Sequence, residues 1–462
     1  MKLRKIIAVI GLAFIIASNS ITAHAVDIVE VPAQEIDTVY NQSVQTNEIE
    51  NWAEGPKIYS ESGIVMDVHS GAVLYAKNVH DPHYPASITK VLTALVALEN
   101  SELTDTVTIK QEDIEFLEYG DSHVGLRVDE QITMEDALQA TLLASGNEAA
   151  HAVGSNIGDG YEAFLELMNA KVKELGGKNS NFANTHGLHD ENHYTSAYDM
   201  ALIGAQAIQN EDFRRITGTK QYTIPVTNIT NETRTFQQNH KMLYDWRSQY
   251  YEYCIGGKTG YTDQALTTLV TFAEKDGITL VSVVMRTHGS GNSYVDTRAM
   301  LDYAFSSFSK VSVTDEMVSV KGLDSVAENS YVMIPSGIAF EDLDASVTMP
   351  KKIGVMEGTI EYSYEGISVG KVNFTITKEY HDKLHDIKEP EKEEQKKKGQ
   401  PVGIIILKII LVIFLIGVIS FLLLLCYAVH KRRERKRKRA EMRRKKRQQE
   451  YQRYLQEQED EE

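Results

Sequence analysis

Apolar residues cluster in short blocks, Ile64 to Met66 and Val73 to Tyr75, on either side of Ser70-Gly71, and this pattern predicts an antiparallel hairpin. From Ser87 the spacing changes. Ile88, Val91, Leu92, Leu95, Val96 and Leu98 recur every three or four residues, so Ser87 opens a buried helix. Further helical stretches cover 134–144, begin again at Glu148, and run over 161–175, where Gly176-Gly177 closes the last of them. Residues 265–273 and 278–285 are β-rich and joined through Lys275-Asp-Gly277, which predicts a second hairpin, followed by a closing helix over 300–308. Beyond Lys310 the helical period disappears. Short segments at 311–313, 330–334, 346–349 and 371–377 predict a small all-β domain.

The two ends have other textures. Lys2, Arg4 and Lys5 precede an apolar run from Ile6 to Ala17 and Ala23-His24-Ala25, which predicts a signal peptide over 1–25. Residues 26–56 are acidic and polar with little periodicity, a flexible leader. The main folded domain is expected over 57–309, the all-β domain over 310–379 and a Lys- and Glu-rich spacer over 380–401. Residues 402–430 include an apolar stretch from Ile409 to Val429, long enough to span a bilayer as a helix. The tail 431–462 begins with a dense run of Lys and Arg, which places it in the cytoplasm and the bulk of the chain outside the cell.

Composition narrows the partners. The net charge is −17 despite that basic run, so the exported part is more acidic still and unsuited to nucleic acid. The basic tail suits the anionic face of the cytoplasmic membrane. Two cysteines, Cys254 outside and Cys426 within the span, cannot pair, so the fold stands on its core. Cys254 reads as a small packed strand residue.

Three strings carry the chemistry: Ser87-Ile-Thr-Lys90, Ser145-Gly-Asn147 and Lys258-Thr-Gly260. In that order they spell a serine acyl-transfer site with a lysine base. A hydroxyl is a poor nucleophile until a base takes its proton, and three residues along a helix puts Lys90 on the face of Ser87. Lys90 must be neutral to act, which burial beside a second cation, Lys258, would bring about. Ser145 and Asn147 lie on a turn between helices, suited to relaying a proton and holding a substrate amide. Lys258, Thr259 and Gly260 read as an edge strand, with Gly256, Gly257 and Gly260 leaving room for a peptide to approach. No cofactor is implied. His186, His189, Asp190 and His193 match no zinc spacing, so no metal is expected.

These strings, with Tyr84-Pro-Ala-Ser-Ile-Thr-Lys90, Ala144-Ser-Gly-Asn147, Asn184-Thr-His-Gly-Leu188 and Gly257-Lys-Thr-Gly-Tyr-Thr-Asp263, make the chain resemble the low-molecular-mass penicillin-binding proteins, in particular the serine-type D-alanyl-D-alanine carboxypeptidases, from about Lys57 to Lys378. The resemblance implies an α/β fold: a β-lactamase/transpeptidase-like catalytic domain with an antiparallel sheet and a helical part, then a β-rich domain standing between active site and membrane. It implies peptidoglycan stem peptides and β-lactams as ligands, Ser87 as the acylated nucleophile, Lys90 as its base, and Ser145 with Asn147 as the second catalytic element. Lys258 and Thr259 then bind the substrate carboxylate, and the N–H groups of Ser87 and Tyr261 form the oxyanion hole. The arginine that relatives often supply for that carboxylate is not where the pattern puts it: Asn292 or Ser293 stands there, and Arg286 or Arg298 is left to substitute. A class A type β-lactamase, with Glu166 and Asn169 activating water, and a non-catalytic wall-binding scaffold are the alternatives.

Overall fold

The computed structural model describes residues 33–289 and 291–385. The expected signal segment 1–25, the expected transmembrane segment 402–430, the tail 431–462 and most of the expected spacer lie outside the described residues. Among the described residues no helix is long and apolar enough to cross a membrane.

In chain order the elements are α1 (Ala33–Tyr40), β1 (Ser60–Asp67), β2 (Val73–Lys77), α2 (Thr89–Asn100), β3 (Thr106–Thr108), β4 (Gln131–Thr133), α3 (Met134–Leu142), α4 (Asn147–Asn156), α5 (Tyr161–Glu174), α6 (Ala197–Ala207) and α7 (Glu211–Gly218). They continue with β5 (Gln221–Ile224), β6 (Arg234–Gln237), β7 (Cys254–Thr262), β8 (Leu266–Lys275), β9 (Ile278–Thr287), α8 (Asn292–Ser307), β10 (Phe308–Ser312), β11 (Leu323–Val326), β12 (Tyr331–Pro335), β13 (Asp344–Thr348), β14 (Glu357–Tyr364), β15 (Ile367–Ile376) and α9 (Lys378–Leu384).

Five strands form an antiparallel sheet in the order β2-β1-β9-β8-β7. Side chains alternate between its faces, as a period of two requires. Val270, Phe272, Val281, Val283 and Met285 join the core shared with α2, α3, α4 and α6. Leu269, Ala273, Leu280 and Val284 join the opposite core with Met300, Leu301 and Ala304 of α8. Both faces are therefore covered, and each fully buried aliphatic or aromatic side chain contributes about 1.5–3 kcal/mol. After α8 the chain continues as strands, β10 pairing with β12 and β11-β15-β14-β13 forming a second antiparallel sheet.

Two sequence expectations are corrected. The closing helix is longer than 300–308: α8 begins at Asn292, because Tyr294, Asp296 and Thr297 are buried as well as Met300. The expected flexible leader is also ordered from Ala33 onward. Val39, Val44 and Trp52 of this segment are buried, and Lys77, fully buried at the end of β2, ties it to the strand that follows by donating from Nζ to the carbonyls of Val39 (2.8 Å), Ile58 (3.1 Å) and Ser60 (2.9 Å). Burial lowers this amine to about 8. Trp52 adds a ring contact to Phe308 at 5.4 Å. A sparse apolar pattern concealed this docking because its strongest ties are a lysine and backbone carbonyls.

Candidate active site

Ser87 does not open the α-helix, as its spacing suggested. It sits in a 3-10 turn, Ala86–Ile88, and α2 starts two residues later at Thr89. Ala86 takes φ +50°, a conformation unfavourable for a residue with a Cβ, and local hydrogen bonds hold it there. Thr89 Oγ1 donates to the Ala86 carbonyl at 2.9 Å and lies 2.7 Å from His193 Nε2. His193 Nδ1 accepts the Ala183 N–H at 3.0 Å, so its proton is on Nε2 and is given to Thr89. Burial lowers His193 to about 4, which keeps the ring neutral. On the other side Thr268 Oγ1 donates to the Pro85 carbonyl at 2.8 Å.

All three strings meet here. Lys90, on the first turn of α2, is fully buried and its Nζ lies 3.0 Å from Ser87 Oγ, 2.7 Å from Asn147 Oδ1 and 2.6 Å from the His186 carbonyl. Lys258, on β7, places its Nζ 2.9 Å from Ser145 Oγ and 2.8 Å from the Thr259 carbonyl. Ser145 takes φ +63° in the turn between α3 and α4, and Asn147 is the first residue of α4. β7 is the edge strand expected from the sequence, paired with β8 alone.

Burial, then the neighbouring Lys258, holds Lys90 well below the ordinary lysine range, and burial lowers Lys258 to about 7. The surroundings of the amine beside Ser87 thus disfavour a proton. A neutral amine has two N–H groups and one lone pair. Two of Lys90's three contacts are carbonyl oxygens, which can only accept, so both hydrogens go to Asn147 and His186 and the lone pair faces the Ser87 hydroxyl. His186, too, is driven far below its usual range by burial and by Lys90, so it adds no charge; its ring stacks on Phe116 at 4.7 Å.

The glycines of the third string serve the protein's own packing before any ligand's. A Cβ on Gly260 would stand 2.9 Å from the Ser87 amide nitrogen and 2.4 Å from Thr268 Oγ1, so β7 presses directly on the nucleophile's backbone. The approach is tighter still at Gly187, where φ is +88° and a Cβ would fall 1.9 Å from the Ala86 carbonyl. Gly187→Ala is therefore expected to displace either the Ala86-Ser87 turn or the loop carrying the His186 carbonyl. A shift of about 1 Å should cost about 10²-fold in acylation rate. Stopped-flow acylation by a penicillin, with a melting curve to verify folding, measures it; a parent-like rate would refute this reading.

Sequence reasoning missed the His186 carbonyl, the Thr89–His193 brace and Thr268. Backbone acceptors carry no residue signature, and the only trace was the Asn184 to Leu188 run. Of the two arginines considered for a carboxylate, Arg298 donates to the carbonyls of Gln249 and Tyr250 and lies over the Tyr251 ring. Arg286, at φ +51°, pairs with Glu61 at 2.7 Å and donates to the Gln264 carbonyl at 2.9 Å; it borders a cavity of about 460 Å³ with Tyr84 and Ala265. Asn292 bonds back to the His288 carbonyl. Tyr261 is half-exposed and its hydroxyl lies 3.2 Å from Asp263. Cys254 opens β7, with burial pushing its thiol up to about 12. Glu166 is on the exposed side of α5, and Asn169 is engaged with the backbone of Phe182 at 2.8 Å, so neither is arranged to activate water.

A sequence-family profile described as D-alanyl-D-alanine carboxypeptidase matches residues 49–289. The chain is 32% identical over 254 residues to D-alanyl-D-alanine carboxypeptidase DacF of Bacillus subtilis strain 168, covering 54% of this chain and 63% of that protein. It is 29% identical over 359 residues to DacA of Haemophilus influenzae, covering 72% of this chain and 88% of the relative. The DD-transpeptidase of Streptomyces K15 superposes with a TM-score of 0.51 at 27% identity, over 55% of this chain and 99% of that structure. The D-alanyl-D-alanine carboxypeptidase structure from Mycobacterium tuberculosis does so with a TM-score of 0.50 at 31% identity, over 57% and 96%. The sheet-and-helix architecture is thus the penicillin-binding, transpeptidase-like α/β fold.

Proposed function

The chain belongs to the serine D-alanyl-D-alanine carboxypeptidase family, and we propose that it removes the terminal D-alanine from peptidoglycan stem pentapeptides through an acyl-enzyme on Ser87. The observation that carries this is the 3.0 Å contact between the buried Lys90 amine and the Ser87 hydroxyl. In acylation Ser87 Oγ attacks the carbonyl carbon of the penultimate residue as its proton passes to Lys90 Nζ. The oxyanion is received by the N–H groups of Ser87 and Tyr261, β7 lying against the serine backbone. The peptide C–N bond breaks, and the D-alanine nitrogen takes the proton that Lys90 accepted, passed on through the Ser145 hydroxyl that Lys258 contacts, which returns Lys90 to the neutral amine. Water then attacks the ester carbonyl as its proton passes to Lys90, the C–O bond to Ser87 breaks, and Lys90 returns that proton to Ser87 Oγ as the shortened peptide leaves. Lys258 and Thr259 attract the substrate's terminal carboxylate, and Arg286 is placed beside the turn that follows β7.

The setting is proposed from the sequence: export by residues 1–25, anchorage by 402–430, the strands after α8 standing between site and membrane, and the basic tail in the cytoplasm. Such an enzyme lowers the supply of pentapeptide donors for cross-linking. Incubating the full chain with a defined pentapeptide should release one equivalent of D-alanine per peptide cleaved, measured by an oxidase-coupled assay; binding without release would favour a scaffold. Prompt turnover of penicillin, rather than a persistent adduct, would favour a β-lactamase.

A further inference from the structure

Glu148 follows Asn147 on α4 and is only 1% exposed, yet it makes no ion pair among the described residues. Its Oε1 accepts the N–H groups of Val124 (2.7 Å), Gly125 (3.0 Å) and Leu126 (3.4 Å). Its Oε2 is buried with no partner, 3.2 Å from where a Cβ on Gly146 would stand. The same loop is tied back a second time, the Asn147 N–H donating to the Ser122 carbonyl at 2.8 Å. A buried carboxylate without a cation is costly, and a carboxylate oxygen left without any hydrogen bond does nothing to offset that cost. Gly146 at the centre of the second string leaves room for it.

We propose that Glu148 is a positioning residue of the acyl-transfer site. It clamps loop 122–126 onto the first turn of α4, so that the Asn147 carboxamide is held against Lys90. Its charge also favours a proton on Lys90. The groups that face Lys90 are Lys258 from β7, Glu148 from α4, Asp121 from the loop, His186 from the 184–188 segment and His193 behind Thr89, with His151 beyond His186 paired to Asp113 at 2.7 Å. Of these only Glu148 and Asp121 favour a proton on Lys90. Its removal therefore lets Lys90 lose its proton at lower pH, although the three N–H groups can still be accepted by an amide oxygen.

The proposal rests on the acyl-transfer reading, but its test measures penicillin acylation rather than D-alanine release, so failure of pentapeptide hydrolysis leaves it standing. In the full chain, Glu148→Gln is expected to move the acid limb of the acylation pH profile down by about one unit, because it removes a charge that favours a proton on Lys90. Glu148→Ala, which also frees the loop, should slow acylation about 10²-fold while the noncovalent affinity for penicillin stays within threefold. A Glu148→Gln protein with the parent's acid limb overturns the proposal, whether or not Glu148→Ala folds.

Discussion

A Ser87→Ala protein is expected to fold as the parent does and to take up no fluorescent penicillin. Among the described residues the only side-chain partner of the hydroxyl is Lys90 Nζ, at 3.0 Å, so its loss removes one hydrogen bond, worth about 0.5–1.5 kcal/mol, and leaves no buried group stranded that lacks other partners. The melting temperature should move by a few degrees at most. The chemical effect is total, because the acyl-enzyme ester forms on that oxygen. Fluorescence of the denatured protein on a gel, against the parent at equal loading, reads the result. A labelled band surviving in the variant would refute Ser87 as nucleophile.

Lys90→Met is expected to slow acylation about 10³-fold, within the range for loss of a general base, while nearly filling the vacated space. In the parent the rate should rise with pH as Lys90 gives up its proton, since only the neutral amine can accept from Ser87. Its depressed position puts that rise well below the ordinary lysine range. The rate should fall again above about 7 as Lys258 loses the charge that attracts the carboxylate. The apparent values belong to the pair, whose titrations are linked. The sign carries over to stability. Both amines bind protons more weakly in the folded chain, so the unfolded state holds more protons below about 10.5, and these two groups cost increasing stability as pH falls toward 7. Acylation rates from pH 4 to 9 test the reading. A profile still climbing at pH 9 would remove Lys258 from its role, and a Lys90→Met rate within tenfold of the parent would remove Lys90.

The acyl-transfer site was legible because each string combines rare requirements in local spacing. Ser87 and Lys90 share a helical face whatever the rest of the chain does, and the β7–β8–β9 run follows from β-rich blocks with Asp276-Gly277 between the last two. Arg286 and Arg298 could not be ranked from spacing, since one lies at the end of β9 and the other on α8, and only their partners distinguish them. Glu148 read as an ordinary helix-opening acid, because its burial depends on a loop more than twenty residues earlier.

The amino-acid sequence alone determined which chemistry this protein can perform: the order of strings, the amphipathic periods and the turn residues are local properties, set by side-chain type and backbone geometry. Tertiary structure decided whether that chemistry can operate. The lowered proton affinity of Lys90, its contacts with Asn147 and the His186 carbonyl, the docking of residues 33–56 and the pressure of Gly187 and Gly260 on the nucleophile's turn all arise from groups distant in the chain. Desolvation and backbone carbonyl acceptors act through space, and no residue pattern records them.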